Sequence, residues 1–356
     1  GEVRAPDRLQ RWCARIESRL ETILSQGLAQ YPGPQSLYLA MLLGEKAVMS
    51  TEQQNAFLQS GTFHIFSISG LHVGVIALAL RKLLGFFRLP PRSRVILTLI
   101  LLWLYVQITG NSPPAARAFL MVAFVLTAED FQLPANSLAA LSGAALVTLL
   151  LDPLQLFSTG FQISYAVVAA LILLGRPLAE HWLERWQPFR FRPKPEWHWR
   201  HHQTDLAGRK LISTLALSWS AFLASTPAGI GYFGLLTSGS MLANLVIIPL
   251  SMAVIYLGFS SLVAGLAGIS LLSTGLNLVA AGLITVIERL LEAGVRLPGM
   301  FFTAQFRAPW LAPLSLGLMT GTMLFGASVQ WSPRWGGYWP PAGLLLGLII
   351  LFVKFG

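Results

Sequence analysis

The chain has 356 residues, 54% of them hydrophobic and only 11% charged, with a formal net charge of +10. Soluble domains carry roughly 25% charged residues, so the composition excludes an ordinary water-soluble enzyme and points to a membrane protein. Apolar runs long enough to cross a hydrocarbon core of about 30 Å recur along the chain, and their continuity argues against the short alternating strands of a β-barrel.

The expected fold is all-α, a polytopic helical membrane bundle of about 8–10 spans, because helices satisfy their own backbone in lipid. Basic loops that fix orientation explain the positive charge, which alone does not signal nucleic acid. Cys13 is the only cysteine, leaving no intrachain disulfide. The opening Gly-Glu-Val-Arg, without a start methionine or a cleavable signal pattern, reads as a fragment of a longer chain.

Residues 7–29 set Leu9, Trp12, Ile16, Leu20, Ile23 and Leu24 on one helical face, with Arg8, Arg11, Arg15 and Arg19 around the other. Such a basic amphipathic helix lies on a membrane surface or packs on the bundle. A turn at Tyr31-Pro-Gly-Pro leads to a short helix over 36–44, and Ser50 reads as the N-cap of another that ends near Gly61. Residues 1–61 are thus read as external interfacial helices, and residues 62–356 as the transmembrane domain.

The first span runs from about 63 to 80 and stops at Arg81-Lys82, and the loop to residue 94 adds Arg88, Arg92 and Arg94 without an acid. That loop marks the cytoplasmic side. Spans near 95–109, 115–128, 136–151 and 155–175 lead to a second basic cytoplasmic loop, 176–210. Parity puts both loops on one side, which makes the N-terminus external and sets the first helix's arginines against the positive-inside rule.

Later spans fall near 211–227, 239–266, 271–290, 308–328 and 340–354. Pro249 breaks or kinks the second of these, and Gly229–Gly234 reads as a re-entrant stretch if it lines a cavity. The count leaves the C-terminus outside together with Arg289, Arg296 and Arg307, a conflict with the charge rule. Trp331, Trp335, Tyr338 and Trp339 read as an interfacial aromatic belt.

Polar residues inside these spans are the candidate site. Residues 62–74, Thr-Phe-His-Ile-Phe-Ser-Ile-Ser-Gly-Leu-His-Val-Gly, hold Ser67, Ser69, Gly70 and Gly74, a small-residue stripe for close helix packing. His64 and His72 lie about two turns apart, so on an unbroken helix both face one cavity, as polar lining rather than as a metal site. Arg117 either snorkels or faces inward as a contact for phosphate. Asp152-Pro153 reads as a helix start. Gly160, Gln162 and Ser164 make a polar small-residue patch, and Asn244 sits ahead of Pro249; each lines a path or packs between helices. Arg190, Arg192 and Lys194, among aromatics, are candidate cytoplasmic contacts for a single strand or a belt at the interface. His198, His201 and His202 lack a second ligand cluster for a metal. No phosphate-cradling loop, nucleophile elbow or H-E-x-x-H helix is present, so no cofactor, metal or ATPase is expected in these residues.

Thr62–Gly74 resembles the H-x-x-[AS]-I-S-G-L-H-[VI]-G signature of the ComEC competence protein family. Leu42-Leu-Gly-Glu-Lys, Pro114-Ala-Ala-Arg-Ala, Leu151–Tyr165 and Ala243-Asn-Leu-Val-Ile-Ile-Pro are similar to family segments in the same order, over about residues 9–300. The resemblance implies an inner-membrane channel that passes single-stranded DNA into the bacterial cytoplasm during natural transformation. It also implies a DNA-receptor protein outside and an ATP-driven helicase or translocase inside. Longer members carry an OB-like domain and a metallo-β-lactamase-like domain with an H-x-H-x-D-H motif; this sequence lacks that motif, so nuclease activity is not expected of it. The alternatives are a small-solute or ion transporter, or a membrane-embedded enzyme using His64 and His72.

Overall fold

The computed structural model describes residues 8–44, 49–66, 68, 70–133, 136–189 and 198–355. In chain order the helices are α1 (Arg8–Leu24), α2 (Pro32–Leu43), α3 (Thr51–Gln59), α4 (Gly70–Phe86), α5 (Pro91–Ile108), α6 (Pro113–Asp130) and α7 (Ser137–Leu151). There follow α8 (Thr159–Ala170), α9 (Arg176–Arg185), α10 (Trp199–Phe233), α11 (Ser240–Leu266), α12 (Ser270–Val295), α13 (Leu311–Ser328) and α14 (Pro340–Phe352). A π-helical turn, Leu171–Gly175, joins α8 to α9. The fold is all-α apart from one small antiparallel sheet of β1 (Leu235–Leu236), β2 (Phe302–Phe306) and β3 (Val353–Phe355), in which Leu235 pairs with Thr303 and Gln305 with Lys354.

Among the described residues, eight segments are long and apolar enough to cross a membrane: Phe63–Phe86, Pro91–Ile108, Thr159–Arg185, Trp199–Phe233, Ser240–Leu266, Ser270–Val295, Leu311–Ser328 and Pro333–Phe352. Two further spans expected from sequence fall short of that. Helix α7, with 15 residues, is about 22 Å long, and α6 carries Arg117, Glu129 and Asp130 within its 18 residues. Large apolar side chains stand exposed along the helices, Leu150 at 74% and Leu271 at 87% among them, as expected of faces turned to lipid.

Two prolines lie inside helices, and Pro249 does not break its span. Helix α10 runs 35 residues through Pro227 and α11 runs 27 residues through Pro249. Each proline removes one backbone bond, a loss that membrane helices tolerate when neighbouring groups re-satisfy the backbone. Gly229–Phe233 is therefore the end of α10, closed by Gly234 at φ 67, and not a re-entrant loop.

The basic loops are also shorter than expected. Arg81 and Lys82 lie inside α4, Arg81 pairs with Glu129 at 2.5 Å, and Arg92 approaches Asp130 at 3.9 Å. Most of 176–210 is helical: Arg176 pairs with Glu180 at 3.0 Å on α9, and Arg209 with Asp205 at 2.8 Å on α10. These i, i+4 ion pairs extend both helices past the apolar run.

The chain forms two compact units, Gly1–Pro153 with Val246–Leu297, and Leu154–Leu245 with Pro298–Gly356. The N-terminal helices α1 and α2 pack within the first unit. Helix α1 packs on α2, α5 and α12 and buries Cys13, Leu20, Ile23 and Leu24. In α2 every residue from Leu37 to Leu43 is buried. One polar cluster ties them down. Asn277 accepts from Tyr38 Oη at 3.2 Å and from Ser261 Oγ at 2.6 Å, and its Nδ2 donates to the carbonyls of Ile23 at 2.8 Å and Gln26 at 3.2 Å. Those carbonyls lie at and just beyond the end of α1, where helical donors run out, although the Ile23 carbonyl also accepts from Gln26 N at 3.3 Å. Helix α3 starts as the sequence predicts: Ser50 Oγ accepts from Gln53 N at 3.2 Å and Gln53 Oε1 from Ser50 N at 3.0 Å.

In the second unit α10 packs on α8, α9 and α13. Trp331 is 6% exposed and its Nε1 donates to the Leu173 carbonyl at 3.0 Å, so it is an internal wedge rather than part of an aromatic belt. Trp335 and Trp339 are exposed. Asp152-Pro153 opens a 3₁₀ turn, Pro153–Phe157, and the cap of α8 is instead Ser158, whose Oγ accepts from Phe161 N at 3.2 Å.

Candidate functional site

Residues 62–74 do not form one helix. Phe63–Phe66 is a 3₁₀ turn, Ile68 is buried and non-helical, and α4 begins at Gly70. The clamp on Ile68 comes from two other segments. Gly44 closes α2 at φ 83, where a Cβ would meet Ile68 Cδ1 at 3.2 Å and the Thr109 carbonyl at 3.6 Å. Tyr105 Oη donates to the Leu42 carbonyl at 2.8 Å. Glycine suits position 44, where the left-handed backbone strains other residues and a Cβ would press on the end of Ile68.

The two histidines fall on either side of this break. His64 is exposed in the 3₁₀ turn, while His72 is 0% exposed in the first turn of α4. The unbroken helix expected for them is not formed, but the two side chains still lie close enough to interact electrostatically. Ser67 and Ser69 lie outside the described residues.

The glycines of the motif are not sites of close approach either. A Cβ on Gly70 would lie 3.9 Å from Ala118 Cβ, an ordinary contact, and one on Gly74 would meet nothing within 4 Å. Helix α4 instead buries Val73, Val75, Ile76, Ala77 and Leu80. The Gly70–Ala118 contact at one end and the Arg81–Glu129 pair at the other share the same sequence offset of 48 residues, so α4 and α6 run parallel and in register.

Arg117 sits in the second turn of α6, next to Ala118, and is 2% exposed. Its side chain faces inward and does not snorkel. The turn at Asn111, φ 48, and Pro113-Pro114 start the helix and set this position. His72 and Arg117 therefore lie at the same end of two parallel helices, whose N-terminal dipoles add to the positive character of that end.

The other candidates belong to the second unit. Gln162 accepts from Tyr232 Oη at 2.5 Å and donates from Nε2 to the Leu156 carbonyl at 3.1 Å, which fastens the start of α8 to the end of α10. Ser164 and Asn244 are half-buried, and Gly160 is exposed at the start of α8 rather than packed in a protein interior. Arg190, Arg192 and Lys194 lie outside the described residues. His201 Nδ1 accepts from the His198 backbone N–H at 3.1 Å, a capping contact for α10, and no group of three metal ligands occurs among the described residues.

Asn277, Tyr38 and Tyr232 were not singled out from sequence. The signal for Asn277 is a lone amide in an otherwise uncharged run, which is costly in lipid unless paired.

Long apolar helices, apolar outer faces, and a buried arginine and histidine at one end of two parallel helices define a multi-pass membrane protein with a polar site inside its bundle. The Competence protein family model matches residues 41–331, and the chain belongs to that family. It is 33% identical to ComE operon protein 3 of Bacillus subtilis over 142 residues, 40% of this chain and 18% of that protein. Competence protein ComA of Neisseria gonorrhoeae is 34% identical over 152 residues, 38% of this chain and 21% of its own length. Recombination protein 2 of Haemophilus influenzae is 25% identical over 223 residues, covering 61% and 26%. The chain thus spans only about a fifth to a quarter of these relatives. No solved structure matches.

Proposed function

We propose that the chain is the membrane-embedded part of a permease that passes single-stranded DNA through the bacterial inner membrane during natural transformation, without chemistry on the strand. Family membership and the relatives' names, which speak of competence and recombination, support this reading. The observation that carries it is Arg117, 2% exposed within the membrane bundle beside the signature helix. A cation in such a place is costly and is kept for a pathway or a partner. Its guanidinium stays charged and matches phosphate oxygens in a two-point fork.

With the cell interior negative, each phosphate moving inward is opposed by about 2.3 kcal/mol per 100 mV. Import therefore draws on an ATP-driven translocase inside and a DNA receptor outside. The turn at 87–90 and the N-terminal end of α10 face the cytoplasm in this reading, and α1 lies on the outer side. Deletion of the protein tests it: nuclease-resistant labelled DNA inside the cell falls to background and returns on complementation. Normal uptake without the protein overturns the reading.

A further inference from the structure

The helical pair around residues 176–210 extends well beyond the bilayer. Helix α10 has 35 residues, about 52 Å at helical rise. From Leu211 to Phe233 it is free of charge, a stretch of about 34 Å that fills a hydrocarbon core of about 30 Å. The excess therefore lies at the N-terminal end, which carries Arg200, Asp205, Arg209 and Lys210.

Trp199 stands about 16 Å along the axis from Lys210, whereas the headgroup layer is about 5–7 Å thick on each side. An interfacial belt residue sits within that layer; Trp199 clears it. The projection is held by built contacts. Trp186 lies against Gly208, where a Cβ would be 2.2 Å from Cζ2, and its Nε1 donates to Asp205 at 3.1 Å, and Asp205 in turn accepts from Arg209 Nε at 2.8 Å.

At the tip Trp199 is 70% exposed, with the Arg200 guanidinium over its ring at 5.6 Å. His198 stacks on His201 with centroids 5.8 Å apart, and Phe189 meets His201 edge-on at 4.6 Å. An exposed tryptophan is unfavourable in water without something to cover it. Among the described residues Arg185 and Arg200 bring positive charge to this end, with Glu184 as the acid. Flat rings interleaved with cations fit bases and phosphates together, and no order of bases is required.

We propose that this projecting tip, with Trp199 and Arg200 at its centre, is a sequence-independent stacking platform for single-stranded nucleic acid. The assignment deepens the permease reading and rests on it for its cargo. An anionic headgroup matches the charge but not the rings at this distance from the bilayer.

The test uses the full chain in phosphatidylcholine nanodiscs and fluorescein-labelled oligothymidylate, read by anisotropy over a salt series. Wild type binds with an affinity that falls as salt rises. Trp199→Ala weakens binding on the order of ten-fold or more, Trp199→Phe keeps most of it, and Arg200→Glu weakens it and flattens the salt slope. Both residues are exposed, so folding is not at stake. Wild-type affinity in Trp199→Ala and Arg200→Glu overturns the platform, even where deletion of the protein abolishes uptake and so upholds the permease. Loss of affinity in these variants upholds the platform whatever the uptake phenotype. A spin label at Gln203→Cys, with Cys13→Ala, reads the other outcome. Protection from a water-soluble relaxant in discs containing phosphatidylglycerol makes the tip a headgroup anchor and overturns the proposal.

Discussion

Trp331 donates its indole N–H to the carbonyl of Leu173 at 3.0 Å, and Leu173 is the residue whose α-helical donor would be Pro177. The proline has no N–H to give. The helix answers with a π-turn at Leu171–Gly175, and the tryptophan reaches in from beyond the end of α13. Gly326 makes the room: a Cβ there would lie 2.3 Å from the Trp331 ring.

Trp331→Phe keeps an aromatic ring and removes the indole donor from the Leu173 carbonyl, which costs about 0.5–1.5 kcal/mol. Trp335, 60% exposed, changed to Phe costs less than about 0.5 kcal/mol. Thermal unfolding in detergent micelles compares the two, and equal midpoints would contradict the wedge.

Glycines divide in the same way. Gly74→Ala is tolerated, with a gain of up to about 1 kcal/mol from helix propensity, because nothing lies within 4 Å of the added methyl. Gly175→Ala drives its methyl to 2.5 Å from Ser220 Oγ and destabilises by about 1–3 kcal/mol. A reversed order of melting temperatures would refute the helix contacts described for α4 and α10.

The parallel register of α4 and α6 is open to cross-linking. Gly70→Cys with Ala118→Cys, in a Cys13→Ala background, places two Cβ atoms 3.9 Å apart, within the range of about 3.5–4.5 Å that a disulfide needs. Oxidation of membranes should close the bond, read as a mobility shift lost on reduction. Gly74→Cys with Ala118→Cys stays open. Equal closure of both pairs would mean that the helices slide or lie elsewhere.

How much of this was legible beforehand follows from how local each cause is. The Ser50–Gln53 capping box and the Gly44 stop rest on residues a few positions apart, and both stand as read. Pro249 sits within α11 without ending it, and a short window of sequence leaves the choice between a break and a kink open. The break before Gly70 comes where buried Ile68 lies against Gly44, a contact between segments far apart in sequence. That break puts His64 and His72 in different elements, and so was invisible to helical spacing. Arg117 was found by its cost in lipid, while the choice between snorkelling and burial needed the packed bundle.

The central claim is that Arg117, buried beside the signature helix, serves the path of the strand. Cells carrying Arg117→Ala, with the protein at normal abundance in the membrane, are given labelled DNA, and the label that becomes nuclease-resistant inside them is counted. The account predicts a drop of about 100-fold or more, with partial recovery in Arg117→Lys, which keeps the charge and loses the fork. Wild-type accumulation in Arg117→Ala would contradict it.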